Sequence, residues 1–412
     1  MNVISEERPE LLKPDLWSFR GEGNVNLVLS YIGGDHWASG MVLRLEKERK
    51  SDAEYIPSSF ELITYARQTT QRLLGSKYVD SLALLQVKKD FLQDLAEMIQ
   101  PLRTDHRKQQ SLDTTKDVGI LMRDHTQFKW PPALDMKFPS ELCLELKLKW
   151  GFLPKGEVSP VKKQACRFCR MQAFRVARNK DYIPCSFCPL DVFSGDETRM
   201  VEAFQDLYRV PHTYMRAFVD GTAVDSCSDA FVTFISKFMR DDNKDSALDR
   251  LWTLAAKALK KDGILNLVKL HQSELDSLDI EVLYPLLLRH NVPLVNPNVE
   301  NWKRIVETYL EKRVPSSSAS AEALRQRLYE FCISTTLKDI SIFVTMTEKL
   351  SDSVQPTDGD GAVGIGDQEY AFKVRVADLD LKSATKVKKY FEQDRDIVND
   401  FVKSKSTRVC IS

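Results

Sequence analysis

Apolar and charged residues alternate through Leu142-Cys143-Leu144-Glu145-Leu146-Lys147-Leu148-Lys149, so Glu145, Lys147 and Lys149 share one face of a predicted strand. A carboxylate and two ammonium groups in a row suit either a solvated sheet edge or a site with charge opposite. The apolar exit that follows, Trp150-Gly151-Phe152-Leu153-Pro154, argues against a free edge. Two lysines side by side suit a polyanion such as ATP or a phosphorylated substrate.

The same patterning divides the rest of the chain. Arg20-Gly21-Glu22-Gly23-Asn24 turns between two stretches that read as strands, and Met41 to Leu45 reads as another. Glycines between strands let backbone N–H groups approach phosphates, although a plain hairpin turn accounts for them equally well and the third glycine of Gly-x-Gly-x-x-Gly is missing. Helix is expected over 59–74 and 89–99, strands over 81–87 and 118–122, and a polar loop carrying Arg107 over 103–116. The polar break Arg123-Asp124-His125 suits a hinge. Residues 196–310 read as mainly helical, with Leu251, Leu254, Ala258, Leu275, Leu278, Ile280 and Leu283 as core positions. His271 and His290 have no partner at ligand spacing. Pro315 to Ser318 reads as a loop, followed by a helix from Ala321 to Glu330 with Ser320 as N-cap.

Near the end, Lys338-Asp339 opens a strand over 340–344, a polar loop covers 357–368, and a second strand over 370–381 contains Asp378 and Asp380. A hairpin of the two would bring Asp339 and the Asp378/Asp380 end to one mouth, where paired acids suit a base and a Mg²⁺ ligand. Lys382, Lys386 and Tyr390 then recur every four residues, on one face of a helix.

Composition bounds these readings. The 412 residues are 43% hydrophobic, ample for a packed core, and 59 Lys+Arg balance 59 Asp+Glu. General affinity for nucleic acid or membrane is therefore not expected, and any basic patch must be local. No run of about 18 apolar residues predicts a membrane span, and the first residues lack the apolar segment of a secretion signal. In a reducing compartment the 8 cysteines are thiols or metal ligands. Cys166-x-x-Cys169 and Cys185-x-x-Cys188 fit a four-thiolate structural zinc site, the alternative being four packed thiols. Asp191, after the second pair, is expected to cap a helix.

Together these stretches resemble the inositol-pentakisphosphate 2-kinase family, in order and nearly end to end, with a fungal-type character. The resemblance rests on Arg20-Gly21-Glu22-Gly23 with Asn26-Leu27-Val28-Leu29, Glu145-x-Lys147-x-Lys149 with Gly151-Phe152-Leu153-Pro154, Cys166-Arg167-Phe168-Cys169 with Gln172, Pro189-Leu190-Asp191 with Phe193-Ser194-Gly195, Lys338-Asp339, and Asp378-Leu379-x-Leu381-Lys382. It implies transfer of the ATP γ-phosphoryl to the 2-hydroxyl of inositol 1,3,4,5,6-pentakisphosphate, giving hexakisphosphate (phytate). The implied fold is α+β and two-lobed, distantly protein-kinase-like. An N-lobe over 1–140 would have its hinge near 122–126, and a C-lobe over 141–412 would include a mainly helical region over about 225–330.

The resemblance assigns roles position by position. Gly21, Gly23, Asn24, Asn26, Arg44, Asp124, His125, Glu145, Lys147 and Arg216 would bind ATP, with Glu145 on the ribose. Lys149, Arg175, Lys382, Lys386 and Tyr390 would hold the inositide, joined by Arg107 and by Thr213. Asp339 would take the 2-hydroxyl proton, Lys147 would reach the ATP phosphates as a catalytic residue, and Asp378 would hold Mg²⁺. A monomer located in the nucleus or shared between nucleus and cytoplasm is implied. Leu148 stands where the family signature has proline, Arg170-Met171 where many relatives have Met-His, and Thr213-Tyr214 where plant members have two asparagines. The Cys/His zinc cluster of plant members has no counterpart over 280–300. Alternative readings are a non-catalytic inositol-polyphosphate-binding protein on the same scaffold, a kinase of other regiospecificity, and a zinc-ribbon nucleic-acid adaptor. The two aspartates disfavour the first, and zero net charge disfavours the last.

Overall fold

The computed structural model describes residues 5–48, 57–131, 138–210, 214–313, 320–350 and 354–412. Among these residues the strands gather into two six-stranded sheets, one built wholly before residue 124 and the other wholly after 140. The molecule is thus of mixed α+β construction.

The first sheet contains β1 (Ser5–Glu6), β2 (Trp17–Glu22), β3 (Asn26–Tyr31), β4 (Met41–Glu46), β5 (Ala83–Gln86) and β6 (Val118–Arg123), in the order β1-β5-β6-β4-β3-β2. β2 and β3 form the expected hairpin, with Gly23 N–H closing the turn on Asn26 C=O at 2.8 Å. Leu27, Leu29, Leu43 and Leu45 alternate inward against Phe91, Leu92, Leu95 and Ile99 of the helix Lys89–Ile99, whose buried residues recur at helical spacing. At Gly119 a Cβ would come within 2.7 Å of Leu43 and Leu45, so β6 can lie beside β4 only without a side chain there. Ser58 and Glu61 form a capping box that starts the helix Ser59–Gln68.

The second sheet contains β7 (Glu141–Leu146), β8 (Met215–Val219), β9 (Thr222–Val224), β10 (Ser341–Glu348), β11 (Gly361–Ile365) and β12 (Gln368–Ala377), ordered β11-β12-β10-β7-β8-β9. β7 therefore lies inside the sheet, between β10 and β8, with all six of its residues buried. The solvated-edge alternative is excluded. The strand is also shorter than its alternation suggests: it ends at Leu146, and Lys147 and Lys149 lie on the segment beyond it. Similarly β12 stops at Ala377, just before Asp378, and β11 occupies part of the stretch read as loop.

Helices pack around this second sheet. Leu251, Leu254 and Ala258 of Lys244–Asp262 are buried, as are Leu275, Ile280 and Leu283 farther on, while Leu278 is partly buried. Gly263, at φ 85°, ends the first helix and starts Ile264–Leu275 in a left-handed conformation. Buried His271 bonds Tyr309 Oη at 2.9 Å and Leu73 C=O at 3.2 Å, and His290 is exposed. Ser320 caps Ala321–Leu337, a longer helix than expected. Asp191 is not a cap: it lies within the short helix Pro189–Val192 and receives Arg199 Nη2 at 2.7 Å, while Asp196 caps Glu197–Arg209. The stretch Pro315 to Ser318 lies outside the described residues, and so does Thr213. Among the described residues no helix is long and apolar enough to cross a membrane.

Candidate active site

β10 and β12 run antiparallel with Ser341 opposite Ala377, which puts Asp339 and Asp378 at the same end of the sheet. β7 joins them, since Ile342 of β10 faces Leu146. Glu145, Lys147 and Lys149 therefore arrive at the same mouth as the two aspartates. Ser341 Oγ lies 2.8 Å from Glu145 Oε1 and 2.8 Å from Asp378 Oδ2, tying two strands and the acid beyond the third.

Asp339 and Asp378 are each balanced by lysine. Lys147 Nζ is 2.7 Å from Asp378 Oδ2; Lys149 Nζ and Lys382 Nζ each stand 2.6 Å from one oxygen of Asp339. Burial by itself would raise the Asp339 carboxyl, but Lys149 and then Lys382 outweigh it and hold it at about 2. Asp378 is likewise pulled below the usual carboxylate range by Lys147 against the effect of burial. Both carboxylates are charged at neutral pH. Lys149 and Asp378 adopt left-handed backbone angles, φ 61° and 62°, which a non-glycine residue holds only where its surroundings impose it.

Two cavities meet here. The smaller, about 480 Å³, is cationic: Lys149, Arg167, Arg170, Arg175, Lys338 and Lys382 contribute to its wall, with Tyr214 and Tyr390. The larger, about 1020 Å³, runs between the two sheets, from the Gly21–Gly23 hairpin and Arg44 on one side to Glu145 and Arg216 on the other. Lys147, Asp339 and Lys382 line both. The glycine hairpin closes on the opposite wall at Gly21, where a Cβ would lie 3.5 Å from Arg216 Nη2. Arg44 spans the cleft and grips Asp380 with Nη2 at 2.8 and 2.9 Å from its two oxygens; the Asn26 side-chain carbonyl, with its amide turned to face the guanidinium, accepts from Arg44 Nε at 3.0 Å.

Asp124 and His125, expected at a hinge, line the cleft as well. Asp124 accepts Arg20 Nη1 at 2.7 Å, and its backbone N–H donates to Gly40 C=O at 2.8 Å. His125 is held through its carbonyl, which accepts Thr345 Oγ1 at 2.6 Å. Burial, reinforced by Lys373 and Arg375, pushes its imidazole down to about 3, so the ring is neutral.

Some expected residues stand elsewhere. Arg107, expected against the inositide, sits on a short helical turn and holds the glycine hairpin: its Nη1 is 3.1 Å from Gly23 C=O and 2.8 Å from Asn24 Oδ1. Lys386 is not among the residues lining the cationic cavity, because Lys382 precedes a 3₁₀ turn at Ala384–Lys386 and the α-helix begins only at Val387. The four-residue stripe is thus broken after its first member, and Lys382 and Tyr390 reach the cavity without Lys386.

Other residues of the cavity wall were not singled out from the sequence. Arg167 and Arg170 lie on the helix Arg167–Arg178 with Arg175, at a spacing that a wheel of that segment would have exposed. Arg170 is 2% exposed, donates from Nε to Ala165 C=O at 3.0 Å, and has no hydrogen-bond partner at Nη1. Beneath them, fully buried Lys162 bridges Asp279 and Asp394, the latter at 2.7 Å, and Asp394 also receives Arg167. Lys338 Nζ pairs with Asp276 at 2.5 Å; burial nevertheless raises the Asp276 carboxyl to about 6.

The paired cysteines also regroup. Sulfur atoms of Cys166, Cys169, Cys188 and Cys410 lie within 4.8 Å of one another. Cys185, expected as the fourth ligand, is outside this group, its sulfur 3.9 Å from Asp206 C=O. All eight cysteines are free thiols, and none of these five lines the cationic cavity or the large cleft.

A mouth with paired carboxylates, a glycine hairpin over one cavity and clustered cations around the other is suited to moving a phosphoryl group between two polyanions. The profile of the inositol-pentakisphosphate 2-kinase family matches residues 19–396. Relatives carrying that name include one from Danio rerio, 24% identical over 94% of this chain and 93% of its own length. A second, from Oryza sativa subsp. indica, is 26% identical over 94% of each chain. A third, from the fungus Cryptococcus neoformans, is 24% identical over 96% of this chain and 95% of its own.

Proposed function

The chain belongs to the inositol-pentakisphosphate 2-kinase family, and on that premise we propose how its residues share the reaction. The protein is a kinase that phosphorylates the 2-hydroxyl of inositol pentakisphosphate to make hexakisphosphate, phytate. ATP enters the large cleft, with Gly21, Gly23, Asn24 and Asn26 over its phosphates, Asp124 and His125 at the base, and Glu145 at the ribose. Arg44 and Arg216 close on the nucleotide from opposite walls. The inositide fills the cationic cavity, its phosphates met by Lys149, Arg167, Arg170, Arg175, Lys382 and Tyr390. The sheets to either side of the cleft act as the two lobes of a distant protein-kinase-like body, one over 1–140 and one over 141–412.

The observation that carries this assignment is the junction of the two cavities at Lys147, Asp339 and Lys382. The 2-hydroxyl oxygen attacks the γ-phosphorus there, the bond to the β-phosphate oxygen breaks, ADP leaves, and the hydroxyl proton passes to Asp339. Asp339 is at present neutralised by two lysines; the incoming phosphates compete for the same ammonium groups and release the carboxylate to act as base. Lys147 turns from Asp378 toward the transferred phosphate. Asp378 offers a hard oxygen donor beside Ser341 Oγ, already balanced by one cation, and this donor chemistry fits Mg²⁺. When bound, Mg²⁺ would be held through Asp378 and would supply neutralisation of the nucleotide phosphates. The cysteine group takes no part in this chemistry.

The test is transfer from Mg-ATP to inositol 1,3,4,5,6-pentakisphosphate, with products resolved by isomer. Hexakisphosphate made by wild type and lost in Asp378→Ala supports the assignment. Tight inositide binding without product would mean a binding protein, and a product phosphorylated elsewhere would mean another regiospecificity. A monomeric enzyme shared between nucleus and cytoplasm is part of the same proposal, and fractionation with light scattering checks it.

A further inference from the structure

The cysteine group draws on three separated pieces of chain. Cys166 and Cys169 form the first turn of the helix Arg167–Arg178, Cys188 directly precedes Pro189–Val192, and Cys410 comes from the last three residues. The four are 0, 8, 2 and 6% exposed. Cys166 and Cys188 sulfurs are 4.0 Å apart, close to the roughly 3.8 Å edge of a tetrahedron with Zn–S bonds of about 2.3 Å. Backbone donors point at the sulfurs: Cys166 N–H lies 3.3 Å from Cys410 Sγ, and Cys169 N–H 3.5 Å from Cys166 Sγ. Such N–H···S contacts orient thiolate ligands and spread their charge.

The tail is led to this point by its backbone. Cys410 N–H donates to Gln164 C=O at 2.9 Å, Arg408 C=O accepts Gln164 Nε2 at 3.3 Å, and Ile411 C=O accepts Arg199 Nη2 at 2.7 Å. Four buried thiols brought together this way leave little room for a purely apolar explanation, since medium-sized apolar side chains would pack as well without their mutual approach.

We propose that Cys166, Cys169, Cys188 and Cys410 bind one structural zinc ion, with Cys185 excluded, and that this ion fastens the chain's last residues to the start of the helix bearing Arg167, Arg170 and Arg175. The site is closed, four-thiolate and remote from the reacting groups. Its service to catalysis is to hold the arginine helix against the cationic cavity. That last clause rests on the assignment of the cavity to the inositide; the metal site itself does not.

The experiment uses the full chain purified under reducing conditions. Metal analysis after dialysis should give one zinc per chain in wild type and in Cys185→Ser. Cys410→Ser should lose zinc to a competing chelator at least tenfold more readily. Should Cys410→Ser fail to fold, alkylation of wild type mapped by mass spectrometry serves instead: chelation should raise the rate at Cys410 at least tenfold. Reduced wild-type protein without zinc overturns the proposal. So does zinc held normally by Cys410→Ser but lost from Cys185→Ser, or a Cys410 rate indifferent to chelator. Because zinc content is read without turnover, failure here and failure of the kinase assignment are separable.

Discussion

Lys149 Nζ stands 2.6 Å from Asp339 Oδ1, on a backbone bent to φ 61°. An ordinary extended continuation of β7 would point this lysine along the strand's own face; the left-handed turn brings it to the acid. The pair joins the proposed base to a proposed substrate ligand before substrate arrives. Asp339→Asn should therefore lower kcat by roughly 10²–10⁴-fold. Inositide affinity should hold or improve, because Lys149 and Lys382 lose their internal competitor. Steady-state kinetics with direct titration of both ligands reads the split, and retained turnover would remove Asp339 as the base.

Arg44 and Asp380 couple the two walls of the nucleotide cleft through one guanidinium nitrogen held by both carboxylate oxygens. Arg44→Ala and Asp380→Ala should each raise KM for ATP. The double variant should be little worse than either, giving a coupling of about 1 kcal/mol or more in a double-mutant cycle. Additive losses would show that the contact has no bearing on ATP.

Arg107 and Arg175 are separated by the cleft geometry. Arg107→Ala should weaken nucleotide binding by loosening the Gly23–Asn24 turn and leave inositide affinity near wild type. Arg175→Ala should do the reverse. Calorimetric titration of the two ligands against each variant checks both arms, and an inositide defect in Arg107→Ala would return that arginine to the substrate.

Lys162 lies between Asp279 and Asp394, away from water. Lys162→Met removes the buried cation that lies between the two carboxylates, and should cost about 3–5 kcal/mol of unfolding free energy in denaturant melts. A loss under 1 kcal/mol would mean that the two carboxylates are satisfied without Lys162, Asp394 by Arg167 and Arg170 and Asp279 by the Glu281 N–H.

Asp276 supplies a pH signature. Its carboxyl is raised to about 6 by burial, although Lys338 opposes the rise, whereas Asp339, held near 2, keeps its charge throughout the neutral range. As pH falls through about 6, Asp276 gains a proton and the cavity becomes more positive. A fixed-charge mimic such as inositol hexakissulfate should then bind more tightly at pH 5 than at pH 7, by roughly tenfold at most for one charge a few ångströms away. Asp276→Asn should flatten that dependence. A wild-type affinity independent of pH would refute the shift.

Much of the mouth was legible in the sequence because strand alternation and chain order carry it. Glu145 beside Lys147, Asp339 just before β10 and Asp378 just after β12 need only a hairpin to meet. Other features depend on contacts that local pattern cannot hold. Cys410 reaches Cys166 across 244 positions and Lys162 reaches Asp394 across 232, so spacing nominated the nearer Cys185 and gave no sign of the buried charge group. Lys386 stands apart from the cavity wall for a different reason. The stripe assumes one continuous helix, and a 3₁₀ turn changes the angular step between Lys382 and Tyr390. The left-handed angles at Lys149 and Asp378 have no signature in residue type, since neither is glycine.

The antiparallel ladder between β10 and β12 acts as a ruler. It is anchored at Ser341 opposite Ala377 and runs without a slip to Glu348 opposite Tyr370. Both acids hang from its zero mark, while the connection between the strands leaves from the far end. Lengthening or shortening that connection moves nothing at the mouth, whereas one residue inserted inside either strand would carry its acid out of register with the other. Variation within this lineage can therefore accumulate in the distal connection without disturbing the alignment on which phosphoryl transfer depends.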